Sequence, residues 1–433
     1  MPLRLDTRSP DFAAAFNALL AMKREAAEDV DHAVQAIIAD VVARGDAALI
    51  AYSRKFDSVD LEKLGLRVDE AEIDAAFANC PPEALDALRL AHSRIIAFHE
   101  RQLPHDLRFT DELGVELGWR WRPVEAAGLY VPGGTASYPS SVLMNAVPAK
   151  VAGVARVVMT VPAPEGRINP LVLAAAKLAG VDEIYRVGGA QAIAALAYGT
   201  QTIAPVAKIA GPGNAYVAAA KRRVFGTVGI DMIAGPSEVL IIADGGADPE
   251  LIAADLLAQA EHDAAAQSIL ITGDESLANA VEAAVARQLT SLPREKIAAA
   301  SWRDFGAIIL VSGLEESIAL ADRLAPEHLE IMTANPEALG QRIRNAGAIF
   351  LGAYTPEAIG DYVGGSNHVL PTARSARFSS GLSVLDFLKR TSILKCGAAS
   401  LARLGPAAIA LGRAEGLDAH ARSVALRIDH RIS

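Results

Sequence analysis

The chain is 433 residues long, 52% hydrophobic but only 5% aromatic, and carries a formal net charge of −10 at pH 7. This length exceeds one ordinary core and predicts two or more domains, while the aliphatic composition is typical of packed α/β layers. The acidic balance lacks the basic stripe that phosphate backbones require, which excludes a nucleic-acid surface. Small molecules are therefore the expected partners.

Cysteine usage and the apolar segments indicate the compartment. Cys80 and Cys396 form neither a CxxC pair nor a disulfide framework, which fits a reducing cytoplasm, and neither is a convincing nucleophile. The amino terminus lacks the apolar core of a signal peptide. The uncharged run 187–207 is interrupted by glycine, glutamine and proline, unlike a membrane span. We expect a soluble, cytoplasmic protein with no membrane partner.

The chain up to about residue 118 is mainly helical in pattern, with apolar positions at three- and four-residue spacing in 33–52 and 83–99. From residue 128, short apolar runs end in glycine-rich turns, each opening a helical stretch; these turns are 128–134, 187–191, 210–214 and 234–237. The first predicted strands and helices are strands 154–161, 184–187 and 208–210 and helices 190–197 and 214–224. This repetition predicts a parallel sheet with crossover helices.

The same pattern recurs downstream, where Asp248 can cap a helix over 248–262 and Pro249 suits its first turn. The further predicted elements are strands 268–272, 307–311 and 348–351 and helices 275–288 and 315–324. Two successive α/β units indicate two similar lobes. After residue 381 the predicted elements are helices over 384–390, 398–410 and 418–427. This tail is too short for a large core of its own, so it should dock on another lobe or another subunit.

Gln259 and His262 are three residues apart on the predicted helix, so an amide oxygen and an imidazole project from one face. The pair can supply half of a metal site, although such residues also occur on helix surfaces or as hydrogen-bonded core side chains. Further nitrogen and oxygen ligands must come from elsewhere in the chain. The downstream candidates are Glu327, His328, Asp361, His368, Glu415 and His420.

The glycine turns suit a dinucleotide or phosphorylated ligand, because backbone N–H groups at the carboxyl ends of parallel strands can approach an anion. Gln191, Asn214 and Ser237 stand where helices are expected to begin, and Tyr130 could stack on a nicotinamide or adenine ring. Glycines at α/β turns also serve geometry alone, and the GxGxxG fingerprint is absent. The spacing by itself leaves both interpretations open.

Short motifs lie in order along nearly the whole chain: GLYVPGG with ASYPS (128–134 and 136–140), KIAGPGN (208–214), DMIAGPSE (231–238), QAEH (259–262), APEHLE (325–330), SNHVLPT (366–372) and EGLDAH (415–420). Together they resemble the histidinol dehydrogenase family. That family oxidises L-histidinol to L-histidine through histidinaldehyde in two NAD-dependent steps, the last of histidine biosynthesis.

The resemblance implies a set of site residues. The zinc ligands would be Gln259, His262, Asp361 and His420, the NAD contacts Tyr130, Gln191 and Asn214, and the acid–base pair Glu327 and His328. The substrate contacts would be Ser237, Gln259, His262, Glu327, His328, Asp361, Glu415 and His420. The role of His368, in a matching loop, is less defined.

The resemblance also implies the architecture, a homodimer of α/β subunits with two large lobes that resemble incomplete Rossmann folds. The expected parts are an N-terminal arm (1–23), a first lobe with the metal and catalytic residues (24–128 with 238–381), a second lobe with the NAD loops (129–237), and a helical C-terminal segment (382–433). This last segment would dock on the partner subunit and place Glu415 and His420 across the interface.

Zinc has no redox role, so electrons must leave as hydride to a nicotinamide while the metal positions and polarises the substrate. We hypothesise that histidinol chelates the metal through its imidazole and amine. His328 would accept the hydroxyl proton, and Glu327 would activate water for the aldehyde step, because both cysteines lie outside every motif. Adjacent strand residues face opposite sides, so the pair should lie at a strand end or turn.

Other functions fit parts of the pattern. A relative with this scaffold could oxidise another small alcohol, such as a sulfonated diol, with the same metal and NAD. A zinc hydrolase would need no NAD and would leave the glycine turns unexplained. A non-catalytic metal- or nucleotide-binding protein would have no use for Glu327 and His328 together.

Overall fold

The computed structural model describes residues 1–22, 28–133 and 138–429, with the side chains of residues 28 and 29 excepted. Some predicted features lie outside the described residues. These are the boundary at Lys23, the motif residues Gly134, Ala136 and Ser137, and the end of the C-terminal segment at 430–433.

The strands, in chain order, are β1 Leu3–Asp6, β2 Leu107–Thr110, β3 Glu116–Pro123, β4 Ala126–Tyr130, β5 Arg156–Thr160, β6 Glu183–Tyr185, β7 Lys208–Ala210, β8 Gly229–Ile230, β9 Glu238–Ala243, β10 Gln267–Thr272, β11 Ala307–Leu310, β12 His328–Met332, β13 Ala348–Leu351 and β14 Leu388–Lys395.

The helices are α1 Phe12–Ala21, α2 Glu28–Arg44, α3 Asp46–Phe56, α4 Leu61–Leu64, α5 Glu70–Ala78, α6 Pro82–His99, α7 Pro139–Val151, α8 Pro170–Leu178, α9 Gly189–Tyr198, α10 Ala215–Val224, α11 Pro249–Ala260, α12 Glu275–Leu289, α13 Glu295–Phe305, α14 Glu315–Leu324, α15 Pro336–Gly340, α16 Glu357–Tyr362, α17 Ala398–Ala414 and α18 Asp418–Asp429.

One compact unit comprises Met1–Gln102 and Glu125–Phe387, and it contains two parallel sheets. The larger sheet has the strand order β1-β11-β10-β9-β12-β13. Its central strand β9 is buried along its whole length: Val239 and Ile241 pack in one core cluster, and Leu240 and Ile242 pack in another. Helices therefore cover both faces, as a parallel sheet requires.

The other parallel sheet of this unit has the order β6-β5-β4-β7-β8. Its helices begin directly after the strands, and their caps are built into the sequence. The Asn214 side chain accepts hydrogen bonds from Tyr216 N and Val217 N at the start of α10. Such caps satisfy N–H groups that have no partner within the helix.

The second compact unit comprises Leu103–Val124 and Leu388–Ser433, described through Asp429. Strands β14, β3 and β2 form an antiparallel sheet, and β14 pairs with β3 from Leu388 opposite Pro123 to Lys395 opposite Glu116. Helices α17 and α18 pack on each other and carry the end of the described chain.

The predicted α/β fold class with parallel sheets is confirmed, and the helix 315–324 and strands 208–210 and 348–351 have their predicted bounds. The helix predicted over 248–262 ends at Ala260, so His262 lies beyond it. Two further local predictions are wrong. The turn 234–237 leads into β9 instead of a helix. The helix predicted over 384–390 is a short 3₁₀ turn, Val384–Phe387, followed by β14. In this second case the segment forms a strand because it pairs with β3, which is distant in sequence, and local periodicity cannot indicate such pairing.

The domain boundaries predicted for the arm, the lobes and the C-terminal segment stay predictions. In the part of the chain that the structure describes, no helix is long and apolar enough to cross a bilayer.

Candidate active site

Glu327 and His328 lie at the amino end of β12, which confirms their predicted position at a strand end. In the parallel pairing with β9, His328 lies opposite Val239. Because Glu327 precedes the strand, its carboxylate can turn back toward the sheet instead of pointing to the opposite face. Its Oε2 accepts a hydrogen bond from Glu238 N at 2.9 Å. The first residue of β9 is thereby joined to the residue just before β12 through a side chain.

The tautomer of neutral His328 follows from its contacts. Its Nδ1 lies 3.1 Å from the carbonyl oxygen of Glu238, and since a carbonyl only accepts, Nδ1 must carry the donated proton. The other ring nitrogen, Nε2, is buried and has no hydrogen-bond partner within the described residues. The neutral imidazole therefore holds an unpaired acceptor at Nε2, which is the atom that a general base needs.

Carboxylates surround this imidazole. Nδ1 lies 3.8 Å from Oε2 of Glu327 and 3.6 Å from Oε2 of Glu357, and Nε2 lies 3.7 Å from Oδ1 of Asp361. Burial alone would lower the pKa of His328, but the charges of Glu327, Glu357 and Asp361 raise it well above its ordinary value. The surrounding carboxylates thus stabilise the imidazolium that forms when Nε2 takes up a proton.

The same burial acts in the opposite sense on the acids, because it penalises the charged carboxylate. It raises the pKa of Glu327 to about 7 and that of Glu357 to about 8, against the opposing attraction of His328. Glu327 can therefore be ionised or protonated near neutral pH. A carboxyl in this range can take up and release protons during a reaction.

A further acidic pair lies behind Glu357. Oε1 of Glu330 accepts a hydrogen bond from Glu357 N at 2.6 Å, and the carboxyls of Glu330 and Asp255 act on each other's pKa. Burial, followed by the neighbouring carboxylates, raises the pKa of Glu330, and burial raises that of Asp255. Two buried carboxyls in contact cannot both be ionised without a large penalty, so the pair retains a proton.

The predicted metal ligands Gln259, His262 and Asp361 belong to the same unit as Glu327 and His328, and His262 and Asp361 act electrostatically on His328 or are acted on by it. Gln259 is buried on the last turn of α11, and its Oε1 has no hydrogen-bond partner within the described residues. His262 is exposed two residues beyond α11, yet nearby protein atoms lower its pKa by desolvation. The charge of Asp361 acts on His262 and is felt at His328 as well.

These three groups fit a metal ion. A buried amide oxygen without a partner is costly unless a ligand satisfies it, and a neutral imidazole is the form that binds metals. Although burial opposes ionisation, the histidines around Asp361 lower its pKa, so it is a carboxylate. Oxygen and nitrogen donors of this kind suit zinc. Within the described residues, no three His, Cys, Asp or Glu side chains form a metal cluster by themselves.

His368 completes the near surroundings of Asp361. Its Nδ1 lies 3.9 Å from Oδ1 of Asp361, and its Nε2 lies 3.4 Å from Oγ of Ser141 on α7. The preceding residue, Asn367, donates from Nδ2 to the carbonyl of Met144 at 2.6 Å. The loop that carries His368 is thus fixed to the helix that follows the first glycine turn.

The residues predicted to bind NAD lie at the carboxyl ends of strands in the other parallel sheet. Tyr130 is the last residue of β4, and its hydroxyl accepts a hydrogen bond from Gly189 N at 3.1 Å. Burial raises the pKa of Tyr130 to about 12, so its hydroxyl keeps a proton to donate. Gln191 is buried in the first turn of α9, and Asn214 caps α10. Since the cap uses Oδ1, the Nδ2 group is the part of Asn214 that could donate to a ligand.

The remaining predicted residues fall in two places. Ser237 precedes β9, and its carbonyl accepts a hydrogen bond from Gln267 N at 3.0 Å, which places it beside the strand start that contacts Glu327. Glu415 and His420 belong to the second unit, where Glu415 follows α17 and His420 lies on α18. There they line a common depression with Leu411, Gly412, Leu417 and Val424.

Sequence reasoning missed Glu357, Glu330 and Asp255. A usable signal existed for two of them. Glu357 precedes Asp361 by four residues and shares its helix face, and Glu330 follows His328 by two residues and shares its strand face. Polar residues at these spacings in otherwise buried elements indicate a common site. The link from Asp255 to Glu330 joins α11 to β12 and has no such local signal.

Comparisons with known proteins agree with this geometry. The family model described as histidinol dehydrogenase matches residues 20–428. The chain is 72% identical over 431 residues to histidinol dehydrogenase of Rhodopseudomonas palustris and 70% identical over 429 residues to that of Bradyrhizobium diazoefficiens, covering 99% or more of each chain. The crystal structure of histidinol dehydrogenase from Elizabethkingia anophelis matches with a TM-score of 0.95 at 39% identity, over 100% of this chain and 99% of that one.

The chain belongs to the histidinol dehydrogenase family. The predicted activity is thereby confirmed: the chain is an NAD-dependent oxidoreductase that converts histidinol to histidine in histidine biosynthesis. The two predicted cofactors, NAD and zinc, are those of histidinol dehydrogenase as a family. The roles of individual residues are a separate matter.

The buried acid pair predicts how stability depends on pH. Folding raises the pKa of Glu330, so the folded chain keeps a proton that the unfolded chain releases at ordinary carboxyl pKa. The stability from this protonated acid is complete at low pH and is lost as pH rises toward the raised value. Glu330→Gln keeps an oxygen for Glu357 N and should gain on the wild type by up to about 1.4 kcal/mol per pH unit between roughly pH 6 and 8.

Urea unfolding at a series of pH values measures this difference. Glu337→Gln, which changes an exposed carboxyl on α15, is the matched control and should track the wild type at every pH. A stability difference between Glu330→Gln and wild type that stays constant with pH would contradict a retained proton.

Proposed function

We propose that the cluster around His328 carries out both oxidations of the histidinol dehydrogenase reaction in this chain. The observation that carries the proposal is the arrangement of His328. Its Nδ1 is held by the carbonyl of Glu238, its Nε2 is an unpaired buried acceptor, and Glu327 stands 3.8 Å from the ring. A base with a fixed tautomer and an acid of pKa about 7 beside it suit a reaction with repeated proton transfers.

In the first oxidation the substrate alcohol loses a hydride from carbon and a proton from oxygen, and the carbonyl bond of the aldehyde forms. NAD, when bound, accepts the hydride. His328 accepts the hydroxyl proton at Nε2, and the carboxylates around the ring stabilise the imidazolium that results. The Glu238 carbonyl keeps the ring oriented in both protonation states, because Nδ1 is a donor in each.

In the second oxidation a water molecule must add to the aldehyde before another hydride can leave. Glu327 as a carboxylate takes a proton from that water, and the water oxygen bonds to the aldehyde carbon. The aldehyde oxygen takes the proton that His328 holds from the first oxidation, which gives the hydrated aldehyde. His328, after releasing its first proton, accepts a proton from the hydrate as the second hydride leaves. The product is the carboxylic acid, and each oxidation transfers two electrons.

The cysteines support hydration over a covalent thiol route. Cys80 is buried, its thiol donates to the carbonyl of Ala76 at 3.2 Å, and burial raises its pKa. It is therefore not a thiolate at neutral pH. Cys396 lies in the second unit, next to α17. We infer that neither forms an adduct with the aldehyde. Both cysteines are free, which fits the reducing cytoplasm that we propose as the compartment.

Gln259, His262 and Asp361 would hold the zinc ion, with His420 as the remaining protein ligand. Zinc, when bound, orients the substrate and polarises its reacting groups as a Lewis acid. The support within this chain is the unpartnered Oε1 of Gln259 and the ionised Asp361. We propose that Tyr130, Gln191 and Asn214 contact NAD, and that Ser237 and Glu415 contact histidinol together with the metal ligands and the catalytic pair.

We propose that the enzyme is a homodimer whose sites are each completed by the second copy. His420 on α18 and Glu415 in the turn before it would then come from the partner. The second unit is small and exposes large apolar side chains on α17, on α18 and in the turn between them, including Leu411, Leu417 and Leu426, as expected of a surface that another subunit covers.

The division of labour between the catalytic residues predicts a split between the two oxidations. Glu327→Gln should retain most alcohol oxidation and lose at least about tenfold in aldehyde oxidation, because an amide cannot take a proton from water. His328→Gln should lose both, since the amide is not a base. Single-turnover NADH formation with histidinol and with histidinaldehyde measures the steps separately. Equal losses of both steps in Glu327→Gln would contradict the assignment of Glu327 to water activation in the aldehyde step.

Shared sites predict complementation between inactive chains. A hybrid dimer of one His328→Ala chain and one His420→Ala chain contains one wild-type site if His420 is supplied by the partner, so it should keep about half of wild-type activity. The hybrid can be isolated with two different affinity tags. Each homodimeric variant is the control and should be inactive. An inactive hybrid would show that His420 acts within its own chain, and an active His420→Ala homodimer would show that His420 lies outside the site.

A further inference from the structure

A buried ion pair lies beside the third glycine turn, outside the catalytic cluster. Lys221 on α10 contacts Asp231, which follows β8, and their side chains are only 3% and 1% exposed. Charges this deeply buried are costly to desolvate, and an apolar pair of similar size often serves stability equally well. The pair therefore calls for an explanation other than stability alone.

Both partners also bind one residue of the glycine turn. Lys221 Nζ donates to the carbonyl of Gly211 at 3.0 Å, and Asp231 Oδ2 accepts from Gly211 N at 2.8 Å. The ion pair thus forms hydrogen bonds with both the N–H and the C=O of Gly211. Since Lys221 and Asp231 lie on different elements, α10 and the end of β8, they fix the turn from two directions.

The backbone of Gly211 is closely confined by its neighbours. Its φ is +118°, and a Cβ at this position would lie 2.1 Å from the carbonyl oxygen of Tyr130. The turn therefore passes directly against Tyr130, whose hydroxyl in turn binds Gly189 N in the neighbouring turn. Three residues after Gly211, Asn214 begins α10. The hydrogen bonds of Lys221 and Asp231 to Gly211 consequently set the spacing between the groups proposed to contact NAD.

We propose that Lys221 and Asp231 are positioning residues of the NAD site, which hold the 211–214 turn in the conformation that receives the dinucleotide. This inference rests on the proposed roles of Tyr130 and Asn214. The pair acts through the turn and not on the NAD phosphates, because the lysine charge is neutralised by Asp231 and its ammonium points at the Gly211 carbonyl. A displacement of about 1 Å in such a turn is enough to weaken ligand binding strongly.

The double variant Lys221→Met with Asp231→Leu removes both charges and both bonds to Gly211. We expect its KM for NAD to rise at least about tenfold while its KM for histidinol and its zinc content stay within about twofold of wild type. Lys221→Arg is the milder second variant; it keeps the charge and moves the donor, and should raise the KM for NAD about threefold. NADH binding followed by fluorescence checks the same effect without turnover.

A matched control exists in the same sheet. Arg156 and Glu183 form an ion pair at the amino ends of β5 and β6, the edge opposite to the NAD turns. Arg156→Met with Glu183→Leu should lower stability without changing the KM for NAD. If both double variants raised that KM alike, or if neither Lys221 variant raised it, the positioning role would be overturned.

The variant Asn214→Ala tests the proposed NAD site separately from the positioning role of Lys221 and Asp231. A raised KM for NAD in Asn214→Ala, with unchanged values in both Lys221 variants, would leave the proposed NAD site standing and overturn the positioning role alone. An unchanged KM in Asn214→Ala would overturn the assignment of the NAD site and, with it, this inference.

Discussion

The hydrogen bond from His328 Nδ1 to the carbonyl of Glu238 is the constraint on which the proposed chemistry depends. It joins a side chain at the start of one strand to the backbone at the start of its neighbour, so the ring is held by the sheet itself. It also fixes the tautomer, and the unpaired nitrogen is left facing Asp361. Burial and the surrounding carboxylates then determine the proton affinity of that nitrogen.

The two parallel sheets of the larger unit use opposite edges. The turns proposed to bind NAD follow the carboxyl ends of β4, β6 and β7, where open α/β sheets generally bind ligands. Ser237 and Glu327 instead precede β9 and β12, and His328 is the first residue of β12. The loop with His368 is anchored to α7, which follows β4, and this contact connects the two edges. The proposed reaction requires NAD and the proposed base to meet at the same substrate, NAD at the carbon and the base at the hydroxyl group.

Local patterns predicted most of the secondary structure because helix periods, caps and buried strands are written in adjacent residues. The α/β class and the cap at Asp248 follow from such patterns. The position of His328 at a strand end followed instead from the requirement that His328 and Glu327 both reach the substrate. The strand β14 does not, since its partner β3 is far away in sequence. The turn before β9 resembled the other glycine turns, but a buried apolar run follows it, and that run becomes the central strand of the larger sheet.

The candidate site was predictable in its motifs and not in its electrostatics. Spacing alone suggested that Gln259 and His262 share a helix face, but α11 ends before His262. Their connection to Asp361 came only from the family resemblance. Glu357 and the Asp255–Glu330 pair emerged from the tertiary structure, because their effect depends on burial and on charges from separate elements. The proposed positioning role of Lys221 and Asp231 likewise depends on the tertiary structure, because it follows from their shared contact with Gly211.

The most direct test of the account is the stoichiometry of NADH formation from L-histidinol, before and after removal of metal by a chelator and return of zinc. The account predicts two NADH for each histidinol, loss of turnover with the chelator, and recovery with zinc. Absence of NADH formation from histidinol by the zinc-loaded enzyme would contradict the assigned substrate. A single NADH per histidinol would contradict the oxidation of the aldehyde at the same site.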